Sequence, residues 1–310
     1  MNEGPPDRKG LKTMATNQFG MMLTPSAESI ERLLRGAIDL HVHIAPDPST
    51  CRGYDAIAAA REAAALGMRG YVAKSFFAPT TADAQLARSI VPEVFTAGSV
   101  TIGFATTGGL DYAPETVETH AKMGCRVLWF PAFDAANCRR ALGQEGGIRI
   151  LDEQGRLKPE VPRILQIAKT YDMAVCSGHM AFDETIAMFR AAKENGITKL
   201  VATHPLVEIW PAFCEEELGA CVDQGALLEL TYGMVMPRNG SFDPRRFVNC
   251  VRMFGADHCL MSTDGSQITD PSPALCMRLH IAMMLQFGCS EEEVWKMCQR
   301  NPARLLGLDG

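Results

Sequence analysis

The sequence predicts an α/β protein folded as a (β/α)8 barrel, and three observations carry that prediction. Eight short apolar or β-branched runs recur along the chain, centred near residues 41, 72, 102, 128, 176, 202, 229 and 261, so that the steps are 31, 30, 26, 48, 26, 27 and 32. Stretches with helical periodicity fill the intervals, and strand–helix alternation at this spacing means parallel strands joined by right-handed crossovers. The competing architecture, a doubly wound open sheet, wants a Gly-rich phosphate turn after its first strand. The first run is followed instead by HIAPDPST.

Taken in order, the candidate strands are IDLHVHI (38–44), GYVAKSF (70–76), SVTIGFA (99–105), RVLWFP (126–131), MAVCSGH (173–179), KLVATHP (199–205), ALLELTY (226–232) and HCLMSTD (258–264). YDAIAAAREAAALG (54–67) places apolar residues at i, i+3 and i+4 and stops on Gly67. PETVETHAKMG (114–124) and DETIAMFRAAKENG (183–196) repeat the pattern, the latter with Asp183 and Glu184 where a helix dipole favours acids. The 48-residue step holds an insert, 137–161, in which Ile148–Leu151 and Leu157 flank Asp-Glu-Gln-Gly and predict a small hairpin. A second hairpin-like or loop insert is expected at 233–243. Both leave from strand C-terminal ends, where a barrel builds its mouth. Residues 1–35 are expected to form an N-terminal extension and lead-in helix, and 36–310 the barrel.

Composition narrows the class. With 310 residues, 47% hydrophobic, and 30 Lys and Arg against 36 Asp and Glu for a net charge of −6, the chain is neither disordered nor basic enough to suggest nucleic-acid binding. No stretch has the length of a membrane span, and the first 20 residues lack the apolar core of a leader. The 11 cysteines are scattered with no C-x-x-C pair, which argues against a zinc ribbon or a thioredoxin motif and for reduced, buried thiols in a cytoplasmic protein. The late helix PALCMRLHIAMML hints at a homo-oligomer.

The chemistry concentrates at strand ends. Of seven histidines, His41 and His43 lie two apart on the first strand and therefore on one face, His179 ends the fifth strand, and His204 ends the sixth. Asp264 ends the eighth. Imidazoles and a carboxylate at one end of parallel strands are a donor set for a divalent transition metal. His120, His258 and His280 read instead as surface, barrel-bottom and packing residues. Lys74 is costly in an otherwise apolar strand unless paired or chemically altered. It is open to three readings: a carboxylated bridging ligand, a cation for a substrate carboxylate or oxyanion, or a partner of Glu229 in the seventh strand. Glu229, as a pocket acid or as a salt-bridge partner inside the barrel, is a further candidate, and Trp129, Phe130, Tyr232, Met234 and Arg238 are candidate pocket residues.

The D-L-H-V-H strand, the later S-G-H-M and T-H-P segments, S-T-D-G after the eighth strand and the closing Asn301-Pro302-Ala303-Arg304-Leu305-Leu306-Gly307-Leu308 resemble the amidohydrolase superfamily, from about Ile38 to the end. AAALGMRGYVAKS and VLWFP bring the likeness to an uncharacterised amidohydrolase-like branch. The resemblance implies a distorted TIM barrel and a metal-dependent hydrolase that activates water against an amide, ester, lactone or related bond of a small molecule. A metal-dependent decarboxylase or other lyase, or a non-catalytic metal-binding protein, is the alternative. By position it implies His41, His43 and His179 as metal ligands. His204 is then a second-metal ligand or catalytic group, and Asp264 both ligand and general base. Zinc is the first expectation, with Mn, Fe or Ni as others, as one ion or two. One element departs from the superfamily pattern: its fourth strand usually ends in a carboxylated Lys or a Glu, whereas RVLWFPAFDA offers only Asp134, and Lys74 stands on strand two.

Overall fold

The computed structural model describes residues 24–209, 212–240 and 242–308. The first 23 residues of the expected extension lie outside them. Among the described residues are nine parallel strands: β1 (Ile38–His43), β2 (Gly70–Lys74), β3 (Phe95–Ala97), β4 (Ser99–Thr101), β5 (Val127–Trp129), β6 (Ala174–Cys176), β7 (Leu200–Ala202), β8 (Ala226–Thr231) and β9 (Cys259–Ser262). Their ladders run in sequence order, β1-β2-β3 in one sheet and β4 to β9 in the other. A doubly wound sheet would reverse order at a switch point, and none is present among the described residues.

All eight expected strands are there. The ninth arises because the third strand is divided at Gly98, whose first half pairs with β2 and second half with β5. A Cβ at Gly98 would stand 2.5 Å from the Thr81 Cα, so only glycine lets the helix Thr81–Ile90 approach there. Side chains bridge the resulting gap between β2 and β4. Thr80 Oγ1 donates to the Ala73 carbonyl at 2.7 Å and accepts the Ser99 N–H at 2.9 Å, and Ser99 Oγ also donates to Ala73 O at 2.7 Å. The other seam, between β1 and β9, is joined by a parallel bridge from Val42 to Gly265 and by the Asp264 N–H donated to His41 O at 2.8 Å. The ring of strands is thus completed at two seams rather than by one continuous ladder.

Alternation splits the core in two. Ile38, Leu40, Val72, Val127, Trp129 and Val201 fill the barrel interior, closed from below by Leu305 and Leu306 of the terminal helix Asn301–Leu306. Intervening residues such as Tyr71, Ala73, Leu128 and Val175 face the surrounding helices. The helix Ala27–Leu34 is capped by Ser26 and buries Ile30, Leu33 and Leu34. The helix Pro273–Gln286 buries Met277, Ile281 and Met284 within the chain itself. The first insert carries the expected hairpin, with an antiparallel bridge between Leu151 and Leu157. The second is no hairpin: it folds as two 3-10 turns, Tyr232–Val235 and Pro237–Asn239. All 11 cysteines are free and nine are buried, Cys51 and Cys214 being exposed. Among the described residues no helix is long and apolar enough to cross a membrane.

Candidate metal centre

The site begins with an irregularity in β1. Against β2, Asp39 pairs with Tyr71 but Val42 pairs with Ala73, so β1 carries one extra residue between them. Such a bulge re-aims the side chains that follow it. Below it, Ile38 and Leu40 point into the barrel; above it, Val42 points out towards the helices. His41 and His43 therefore take the interior face at the mouth. The carboxylate of Asp39 secures the bulge by accepting the His41 and Thr263 N–H groups, each at 3.0 Å, and the Thr263 hydroxyl. Burial drives its pKa up to about 7 against those hydrogen bonds.

Three side chains converge above the bulge. His41 Nε2 and His43 Nε2 are 3.3 Å apart, and each lies 3.2 Å from Asp264 Oδ1. Ligand atoms about 2.0–2.1 Å from one tetrahedral ion stand about 3.3 Å from one another. The donor set and its spacing fit a single divalent ion, and among the described residues these three bring their ligand atoms within 4.8 Å of one another. Asp264 holds a left-handed backbone, φ 52°, which is strained for a residue with a Cβ. Burial pushes its carboxyl up, but attraction to His41 and the hydrogen bond with His43 carry it well below the usual range. Burial also keeps His43 neutral, the form that binds metals, by lowering its pKa well below the ordinary value.

Glu229 backs this set from within the barrel. Its Oε1 lies 3.0 Å from His41 Nδ1 and accepts the Ser262 hydroxyl at 2.8 Å, while Oε2 accepts the His204 N–H at 3.1 Å. A carboxylate on Nδ1 puts the imidazole proton there and leaves the Nε2 lone pair for the centre. Burial raises the Glu229 carboxyl pKa, but His41 above all brings it below the normal value.

Lys74 comes in at the register position beside His43. Its Nζ is 2.8 Å from His41 Nε2 and 3.8 Å from the Trp129 ring centroid. Lys74 and Glu229 are thus joined through His41, which stands between them. Burial lowers the Lys74 pKa to about 8, opposed by Asp264 and Glu229.

His179 and His204 stand beside the converged set. Their ring centroids are 5.0 Å apart, and His204 is 5.8 Å from His41. Gly178 turns the chain at φ 62°, where a Cβ would meet Phe130 O at 2.3 Å, and so lets His179 reach the rim. Burial holds His179 well below its usual pKa and brings His204 down to about 4. Phe76 and Phe133 complete an aromatic wall, with Phe76 4.5 Å from His43 and Phe133 5.3 Å from His179.

The other sequence candidates are placed differently. Trp129 is buried under Lys74 and His41, with its ring 4.7 Å from the latter. Phe130 faces the outer helices. Tyr232 lays its ring beside His280, 5.7 Å away on the helix Pro273–Gln286. Arg238 is bound to both oxygens of Asp270 at 3.0 and 3.2 Å and donates to the Asp264 carbonyl at 3.3 Å, so it braces the Asp264 loop. Met234 joins Val207, Ile209 and Phe242 in lining a cavity of about 230 Å³. Sequence reasoning passed over Asp39, Ser262, Thr263, Phe76 and Phe133. Only Phe76, two residues beyond Lys74 on the same run, carried a readable signal.

Solved structures share this architecture. An amidohydrolase from Pseudomonas aeruginosa matches with a TM-score of 0.61 at 11% sequence identity, over 90% of this chain and 97% of that one. A probable 2-pyrone-4,6-dicarboxylic acid hydrolase from Acinetobacter baumannii, solved with citric acid bound, matches with a TM-score of 0.56 at 12% identity over 88% and 99%. A 2,6-dihydroxybenzoate decarboxylase from Rhizobium matches with a TM-score of 0.53 at 13% identity over 89% and 100%. At such identities the likeness is one of fold, the (β/α)8 barrel. A comparison with curated proteins finds no match. Residues 36–229 match the model of DUF6282, described as a family of unknown function, and the chain belongs to that family.

Proposed function

We propose that the chain is a metal-dependent hydrolase of the amidohydrolase type, acting on an amide, ester, lactone or related bond of a small molecule. The observation that carries this reading is the convergence of His41, His43 and Asp264 at 3.2–3.3 Å. When bound, a divalent ion, zinc first among the candidates, supplies a water acidic enough to give up its proton near neutral pH and a charge to oppose a developing oxyanion. His41 and His43 hold that ion, with Glu229 fixing the His41 tautomer, and His179 stands close enough to the rim to extend the set. Asp264, 26% exposed at its side chain, accepts the proton and returns it to the leaving group. His204 and Lys74 face the substrate carbonyl, and the seat of Lys74 over Trp129 favours its reading as a cation.

Decarboxylation on the same barrel is the second reading, favoured by the buried cation Lys74 and by the fold shared with a decarboxylase. The test is turnover by metal-loaded protein on a panel of esters, lactones, amides and carboxylates, with carbon dioxide followed separately. Asp264→Asn should keep the fold and lose about 10²–10⁴ in rate. An unchanged rate removes Asp264 from the role of base. Metal content without turnover on any member of the panel leaves a binding protein and overturns the enzyme reading.

A further inference from the structure

The loop after β1 carries a charge that neither the strand ends nor the helices explain. Arg52 sits there with its side chain 4% exposed, and its partner Asp47 is 2% exposed. The pair is built: Asp47 Oδ2 accepts Arg52 Nε at 2.9 Å, while Oδ1 accepts the Ser49 N–H, the Ser49 hydroxyl and the Thr50 N–H at 2.9, 2.9 and 3.0 Å. Those three bonds fix the carboxylate whether or not the arginine is present. They also leave it only Nε of the guanidinium. Among the described residues Nη1 and Nη2 of Arg52 have no hydrogen-bond partner.

The backbone places this group against the metal centre. Arg52 bridges antiparallel to Gln267, Gly53 N–H donates to Ser266 O at 2.8 Å, and Ile268 N–H donates to Cys51 O at 3.0 Å. Gln267 is three residues beyond Asp264, and the intervening turn keeps left-handed backbone at both Asp264 and Ser266, φ 52° and 94°. Strain of that kind persists where the surroundings enforce it, often at ligand clamps.

Asp47 takes one edge of this guanidinium and leaves the other open to an incoming acceptor. That edge, Nη1 with Nη2, offers two parallel N–H donors in a plane, the geometry that meets a carboxylate two atoms for two. We infer that Arg52, held by Asp47, is a substrate-binding residue that receives a carboxylate of the substrate at the mouth of the centre. The inference deepens the hydrolase reading by naming the substrate class, a small carboxylic acid, and it rests on that reading for the reaction. Arg238, the arginine singled out by sequence, is spoken for by Asp270 and braces the loop instead.

The experiment is calorimetric titration of chelator-treated protein with malonate and, in parallel, with inorganic phosphate. It uses wild type, Arg52→Gln and Arg52→Lys, with circular dichroism to confirm folding and elemental analysis after metal reloading. Wild type should bind malonate in preference to phosphate. Arg52→Lys keeps the charge and its pairing with Asp47 but loses the fork, and should bind malonate about tenfold more weakly. Arg52→Gln should bind it more weakly still, and both variants should reload metal as wild type does. If Arg52→Gln fails to fold, Arg52→Lys decides. Malonate binding at wild-type strength in either folded variant, no malonate binding by metal-free wild type, or preference for phosphate would overturn the assignment. Arg52-dependent malonate binding in a protein that holds no metal would leave this site standing and remove the hydrolase reading.

Discussion

His41 is the residue on which the centre turns, because each face of its ring edge has a different task. Nδ1 meets Glu229 at 3.0 Å, while Nε2 looks towards His43, Asp264 and Lys74. Replacing Glu229 by Gln keeps the volume and removes the charge that fixes the tautomer. Partners of this kind typically change metal affinity by about 10–100-fold, so Glu229→Gln should weaken metal binding by that factor in a competition titration with a chromophoric chelator. Equal affinity in wild type and variant would show that Glu229 has no part in holding His41. The sequence made the two histidines legible through residue type and spacing alone. It left Glu229 ambiguous, because a charge within an apolar strand can face either side. Arg52 was illegible for another reason: loop residues carry no periodicity, and only the pairing of 51–53 with 266–268 brings it to the site.

At the scale of elements, the β1 bulge and the helix Pro273–Gln286 show what pattern reading reaches and what it does not. The i, i+2 rule put His41 and His43 on one face, and they are. The rule could not show that Leu40 and His41 both turn inwards across an extra residue, since a bulge leaves no mark in hydrophobic alternation. The helix was readable as apolar, and its histidine as packing. His280 is fully buried between Tyr232 and Phe247, and burial brings its pKa down to about 3. In the unfolded chain the same group titrates at about 6.5. Below that value the unfolded state takes up a proton that the native state refuses, so stability falls as pH drops from about 6.5 towards 3. In His280→Leu, followed by urea denaturation of metal-free protein between pH 6 and 4, that fall should be shallower by up to about 1.4 kcal/mol per pH unit. An identical pH dependence in the two proteins would mean that His280 is charged in the native state.

At the scale of the molecule, the eight strands and their order were legible because the repeat of about 30 residues is itself the signature of the barrel. The seams were not. Gly98 in the run Thr-Ala-Gly-Ser reads as the start of a strand rather than as the break within one. The stitching by Thr80 and Ser99 is tertiary, and no local pattern announces it. Thr80→Val keeps shape but strands the buried Ser99 N–H, and should lower stability by about 1–3 kcal/mol in chemical denaturation. A loss within error of zero would mean that the β2–β4 seam does not depend on that hydroxyl. The same closed ring brings residues from β1 and from the turn after β9, 221 positions apart between His43 and Asp264, to one point. The measurement that bears on this most directly is the metal content of the purified chain, by elemental analysis and by titration of chelator-treated protein with Zn, Mn, Fe and Ni. One divalent ion or more per wild-type chain, lost from a folded His43→Ala variant, is the expected result. A wild-type chain that takes up none of the four metals, or a His43→Ala variant that retains the ion, would contradict a metal centre at His41, His43 and Asp264.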